Sequence, residues 1–316
     1  MLEVLDVSGL VTLQDSGRHG WQSYGVPVSG PMDWFAHRAA NSLLGNSPDA
    51  VVIEIGLGEA QFRAKRDCVI AVTGAGFEVA NYVWTFPLWT SFYVRAGWRV
   101  QVKKISGGNW AYLGIAGGFD TQTMLGSKST YLRGGLGSAL RAGDIIQAGK
   151  PAIELSKLAA RDFPVEKFIQ YSQSPVIEVI AGPQQDRFTQ DGIQTFYKSE
   201  YALSKSFDRM GYRLEGHPIS HSRGADLISE GMTIGSVQVP ASGQPIVMMA
   251  DTPTTGGYPK IANVTRASMP LLAQCEAGIS KIKFKEISVK TAQEKLRAII
   301  NLRGLKDLGG LELEQR

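Results

Sequence analysis

The sequence predicts a mainly β protein built as two halves, on three observations. Thirty-six glycines and 14 prolines break the 316 residues into short segments, the texture of strands joined by tight turns. The apolar segments between them are of strand length rather than long and helical. The third observation is an echo. Val100-Gln101-Val102, Ser106-Gly107 and Gly117-Gly118 recur as Val237-Gln238-Val239, Ser242-Gly243 and Gly256-Gly257. Residues 70–74 (IAVTG) likewise recur as 178–182 (EVIAG). The separations differ, so the second half carries an insertion between the echoes, and the shared order favours two similar β domains.

A chain of this length exceeds one ordinary core and fits two domains. Residues 1–150 form the expected first β domain, 151–174 a linker, 175–290 the second β domain and 291–316 a helical tail. Within the first, residues 1–32 alternate short apolar stretches with Gly and Pro. After Asp33, Phe35, Ala39 and Leu43 share one helical face, and Gly45 suits the C-terminal cap. Strands are expected at 51–55, 68–72, 92–95, 98–102 and 111–116. The second domain opens with a strand at 176–180, has a helix at 185–197, and continues as strands through 284. In the tail, Ala292, Leu296, Ile299 and Ile300 keep helical spacing, and Thr291 with Glu294 matches a capping box. Residues from about 303 onward read as frayed.

Apolar residues make up 43% and charged residues 20%, the balance of a folded rather than a disordered chain. The net charge of +4 is spread without a block of like sign, which argues against a nucleic-acid surface and fits an anionic substrate or an acidic partner. No apolar run approaches a membrane span and the start does not read as a signal peptide. A cytoplasmic location with no membrane association is the expectation. Cys68 and Cys275 lie in apolar settings and read as free thiols, with a disulfide left open.

Familiar signatures are absent. Gly126-Ser127-Lys128-Ser129-Thr130 has the ingredients of a phosphate loop in another register, so it reads either as a polar turn or as an anion-binding loop. His217 and His221 have zinc-helix spacing, but Gly216 and Pro218 make the segment a loop, and no metal site is assigned there. No Met-Lys-Met marks a biotin attachment site. Three polar clusters among glycines stand out instead. The first spans 14–33, where Asp15 and Arg18 could pair across a turn and Asp33 could cap the following helix. The second spans 206–214 with 229–232. The third, 250–260, leaves an apolar strand with Asp251, Thr254, Thr255, Tyr258 and Lys260, groups able to hold a carboxylate or phosphoryl oxygen; the plainer reading is a hairpin.

These clusters carry a resemblance. Q-D-x-G-R and G-V-P-x-S-G-x-M-D in the first, L-G-S-K-S-T at 125–130, D-R-M-G-x-R-L and S-E-G in the second, and V-P-x-x-G-Q-P-I with T-T-G-G-Y-P-K-I-A in the third are similar to the family named for the carboxyltransferase half of urea amidolyase. The resemblance covers residues 1 to about 290. It implies two cyclophilin-like β-barrels. Lys128 stands where Arg is commoner and Pro253 where Gln is commoner. Stand-alone members work as one subunit of an ATP-dependent 5-oxoprolinase, beside a B and an A subunit, opening 5-oxo-L-proline to L-glutamate. Other members are fused carboxyltransferases acting on carboxybiotin, and one antagonises a kinase inhibitor without turnover. A stand-alone chain without a biotin site points to the first role, with ATP and Mg as cofactors and no covalent biotin here.

The implied catalytic residues are Arg18, Asp33, Glu54, Arg209, Glu230 and Lys260. Ser29, Lys128, Ser129, Thr130, Asp251, Thr254, Thr255 and Tyr258 are the implied substrate or phosphate contacts. Asp33, Glu54, Glu230 and Asp251 would handle protons or a metal ion. If the halves are similar barrels, clusters 17–33 and 254–260 should converge on one cleft, with Arg18 and Lys260 giving positive potential and Ser29 and Thr254 completing the donors.

Overall fold

The computed structural model describes residues 1–167 and 169–301; the expectation of fraying beyond 303 lies outside them. The chain divides into two compact units. Of the described residues, one comprises 1–18, 33–170 and 299–301, the other 19–32 and 171–298. Residues 19–32, expected in the first half, therefore cluster with the second, and most of the expected linker clusters with the first.

In the first unit, the segment expected to alternate short stretches begins as one long strand, Leu2–Gln14, antiparallel to Val52–Ala64. Val52–Ala64 serves two neighbours in turn: Ile53–Gly56 pairs with Trp110–Ile115, and Glu59–Arg63 pairs with Arg99–Lys104. Cys68–Gly74 then joins Trp110–Ile115 to Thr90–Val94, completing a branched sheet of ten strands. Its fully buried strands, CVIAVTG and WAYLGI, read as continuous apolar runs, as strands covered on both faces must. The helix Trp34–Leu43 supplies one cover, and Thr73 Oγ1 donates to Ala36 O at 2.7 Å beneath it. Asp33 caps it as expected, accepting from the N–H groups of Phe35 and Ala36.

The second unit is a closed barrel of seven strands, in the order Val176–Ala181, Lys260–Val264, Ser236–Gln238, Ile246–Met248, Gly211–Glu215, Tyr201–Phe207 and Lys281–Glu286. The seam between Val176–Ala181 and Lys281–Glu286 is its one parallel pairing. Period-two burial puts Ile177, Val179, Leu203, Tyr212, Leu214, Ile282 and Phe284 inside, the alternation that a barrel wall demands. Phe196, on the helix Gln190–Lys198, stacks on Phe284 at 4.5 Å between centroids. The helix expected at 185–197 is thus two pieces, Gln185–Arg187 and Gln190–Lys198, because Thr189 caps the second by accepting from Gly192 N. The tail helix spans Val289–Asn301, so it starts ahead of Thr291 rather than after it. Ser288 Oγ accepts from Thr291 N there, so Ser288 takes the capping place. Both cysteines are free and buried. Among the described residues no helix is long and apolar enough to cross a membrane.

Candidate functional site

In the first unit the carboxylate of Asp15 organises the 125–130 segment. Its Oδ1 accepts from Gly17 N at 2.9 Å and from the hydroxyls of Ser127 and Ser129 at 2.6 Å, and its Oδ2 accepts from Lys128 N at 2.6 Å. Burial pushes this carboxyl up, but those four donors outweigh it and hold it below the usual carboxylate range. The expected Asp15–Arg18 pair is not formed. Arg18 is buried and donates to Met124 O at 2.9 Å and Ser129 O at 2.8 Å, because the loop carbonyls offer it acceptors that the satisfied Asp15 does not. Arg18, Lys128, Ser129 and Thr130 line a cavity of about 350 Å³. The Lys128 ammonium there is 3.0 Å from exposed Asp120.

Deeper in the same unit, Asp33 N donates to Tyr112 Oη at 2.7 Å, and Tyr112 Oη donates to Glu54 Oε2 at 2.9 Å. All three residues are fully buried. Burial, followed by the charges of Glu54 and Asp33, drives the Tyr112 hydroxyl far up, so it stays a donor. Asp33 and Glu54 are thereby placed as a helix cap and a tyrosine acceptor in the interior.

In the second unit Arg209 grips Asp251 in a two-point pair, Nε to Oδ2 at 2.9 Å and Nη2 to Oδ1 at 3.1 Å, and reaches Gly30 O at 2.7 Å. Asp251 N donates back to Arg209 O at 2.7 Å. This buried pair ties the 19–32 segment to the barrel within one unit. Ser29, next to that tie, is buried with φ 57°, and its hydroxyl has no hydrogen-bond partner among the described residues. A strained backbone and an unsatisfied buried donor together are what functional sites retain. Lys260 is also buried. Its ammonium lies 2.7 Å from Glu230 Oε1 and 3.2 Å from Gly231 O. Gln184 braces both, donating to Glu230 Oε1 at 2.6 Å and accepting from Lys260 N at 3.2 Å. Gln184 had no signal beyond a glutamine after a Gly-Pro turn.

Gln22, Ser23, Gly25, Gly231, Met232, Thr254 and Thr255 line a cavity of about 530 Å³ in this unit. The expected meeting of the first and third clusters thus occurs through residues 22–25 and 254–255. Arg18 belongs instead to the first unit and lines its cavity. Tyr258 is partly exposed, and its carbonyl accepts from Gln238 Nε2 at 3.1 Å. Of the second-unit residues, Glu230 through Gly231, Lys260 through the same carbonyl, and the two threonines share the neighbourhood of one cavity.

Residues 24–286 match the family model described as "Carboxyltransferase domain, subdomain A and B". The chain belongs to this carboxyltransferase family. Within it, the chain is 37% identical to the C subunit of 5-oxoprolinase from Haemophilus influenzae, covering 92% of this chain and 93% of that one. The Escherichia coli counterpart is also 37% identical, with the same coverage. The solved urea amidolyase of K. lactis superposes with a TM-score of 0.88 at 27% identity, over 99% of this chain but 20% of that one. A second solved structure, with TM-score 0.80, is also longer, this chain spanning 55% of it. The carboxyltransferase-family membership agrees with the mainly β, barrel-containing fold.

Proposed function

We propose that this chain is the C-type subunit of an ATP-dependent 5-oxoprolinase, acting with B- and A-type partners to open 5-oxo-L-proline to L-glutamate. The observation that carries this reading is coverage. The match to the 5-oxoprolinase C subunit of Haemophilus influenzae takes up 92% of this chain and 93% of that one, whereas the match to urea amidolyase takes up a fifth of that protein.

A lactam carbonyl is a weak electrophile. ATP, when bound in the complex, would supply a phosphoryl group that, carried on the amide oxygen, opens the ring carbon to attack by water so that the ring C–N bond can break. The second-unit cavity supports a share in this. Thr254 and Thr255 line it, and their hydroxyls are suited to carboxylate or phosphoryl oxygens. Lys260 stands behind the Gly231 carbonyl, where its ammonium also offsets the charge of Glu230. Glu230, held by Lys260 and Gln184, is the carboxylate that would accept a proton from water in this reading. None of the residues lining either cavity is aromatic, so their donor sets suit an anionic group better than a purine. Lys128 and Thr130 form a second anion-compatible wall in the first unit.

The test is reconstitution. With its B- and A-type partners the chain should hydrolyse ATP in response to 5-oxoproline and release glutamate, and Lys260→Ala should lower that turnover at least ~100-fold while the complex still assembles. ATP turnover indifferent to 5-oxoproline, with activity on carboxybiotin and urea instead, would assign the chain to the carboxyltransferase role that the K. lactis superposition favours.

A further inference from the structure

The first unit carries an aromatic and cationic surface outside both cavities. The turn joining Phe77–Ala80 to Thr85–Phe86 leaves Tyr82 75%, Val83 73% and Trp84 60% exposed. Three consecutive apolar side chains in water are costly unless something covers them. The turn is also rigid. Asn81 Oδ1 accepts from Val83 N at 2.8 Å and Trp84 N at 2.7 Å, and Asn81 N donates to Trp84 O at 2.9 Å. An ordered turn loses little entropy on docking. The strand Thr85–Phe86 ends the hydrogen-bonded order of its sheet, with Phe77–Ala80 as its partner among the described residues.

Arg99 joins this tip to the neighbouring turn. Its guanidinium lies 5.5 Å from the Tyr82 ring centre and donates to Tyr82 Oη at 2.5 Å. In that next turn Arg95 lies 5.8 Å from the Trp98 ring centre, and Trp98 N donates to Arg95 O. Neither arginine has a carboxylate within ion-pair distance among the described residues; Arg95 feels Asp67 only at longer range. Trp, Tyr and Arg are the side chains that anchor protein interfaces, and here both guanidinium groups lie within 5.8 Å of an aromatic ring centre, with a fork geometry that matches planar carboxylates.

We infer that Tyr82, Val83, Trp84, Arg95, Trp98 and Arg99 form a docking surface for an acidic segment of a partner protein, one that sets an apolar side chain between carboxylates. Resting on the reading that the chain works in a complex, the occupant is the B-type partner. A second copy of this chain is disfavoured, because these six residues include two arginines and no carboxylate, so a two-fold contact through the patch would bring no acidic counterpart to either cation.

The experiment measures affinity of the full chain for the purified B-type partner. Arg99→Glu and Trp84→Ser should each weaken it roughly tenfold or more, and wild-type binding should weaken as sodium chloride rises. Lys205→Glu, on an exposed strand position in the second unit, makes the same charge change and should bind as wild type. If the wild-type complex forms and both patch variants match it, the surface is wrong while the subunit reading stands. If wild type forms no complex, the subunit reading falls and takes the surface with it. If Arg99→Glu spares the protein complex but abolishes binding of a labelled random-sequence RNA, the patch reads nucleic acid and the proposal is overturned.

Discussion

Two strand ends, one in each unit, obey the same steric rule and carry different chemistry. In the first unit Gly74 faces Ala111, the second residue of Trp110–Ile115, and a Cβ on Gly74 would stand 2.2 Å from Trp110 O. In the second, Gly182 follows Ala181, which pairs with Ala262 of Lys260–Val264, and a Cβ on Gly182 would stand 2.2 Å from Lys260 O. Both glycines belong to the echoed segments IAVTG and EVIAG. The echo in sequence is thus a shared close approach of backbones. The partner strands differ: the first begins with Trp110, buried over Gly56, and the second with Lys260, paired to Glu230. One place in the pattern serves packing, and the other holds a buried charge beside a cavity.

The largest effect should come from the packing side. Trp110→Ala should cost about 3–5 kcal/mol of stability by the cavity it leaves, seen as a lower urea midpoint. Gly74→Ala should cost about 3 kcal/mol, because Gly74 combines the clash with φ 114°; Gly182→Ala, which has the clash alone, should cost less. Equal losses would show that the shared clash alone sets the cost and that the positive φ of Gly74 adds nothing to it.

A smaller but directional effect concerns His37, buried in the first unit. Burial lowers its imidazole to about 4 from 6.5, ahead of smaller opposing pulls from Asp15 and Asp49. The folded form therefore binds fewer protons than the unfolded one between those values, so stability present above about pH 6.5 is lost as pH falls toward about 4. The loss is about 3 kcal/mol, and His37→Gln should flatten that part of the stability profile. A wild-type profile already flat from neutral to mildly acid pH would overturn it.

The smallest change in stability should come from Lys260→Met. The methionine keeps the buried chain, and Glu230, whose side chain is 41% exposed, can turn to water, so the cost should stay near about 1 kcal/mol while turnover collapses. A stability loss as large as that of Trp110→Ala would make Lys260 a structural residue like its counterpart.

Sequence alone determined what local rules govern. The buried strands announced themselves as apolar runs, Asp33 as a cap for the helix after it, and the echoes as two similar β halves, because turns, caps and period-two burial act within a few residues. The mainly β class followed from them, and the family resemblance from the glycine-anchored motifs such as D-R-M-G-x-R-L and T-T-G-G-Y-P-K-I-A. Only the tertiary structure decided the partners of the polar side chains. Arg18 could not be seen to reach Met124 and Ser129, 106 and 111 residues away, nor Tyr112 to reach Glu54 at 58, nor residues 19–32 to cluster with the second unit. A buried polar group must find a partner, but which one is set by how distant strands are brought together, and no short stretch of chain encodes that choice.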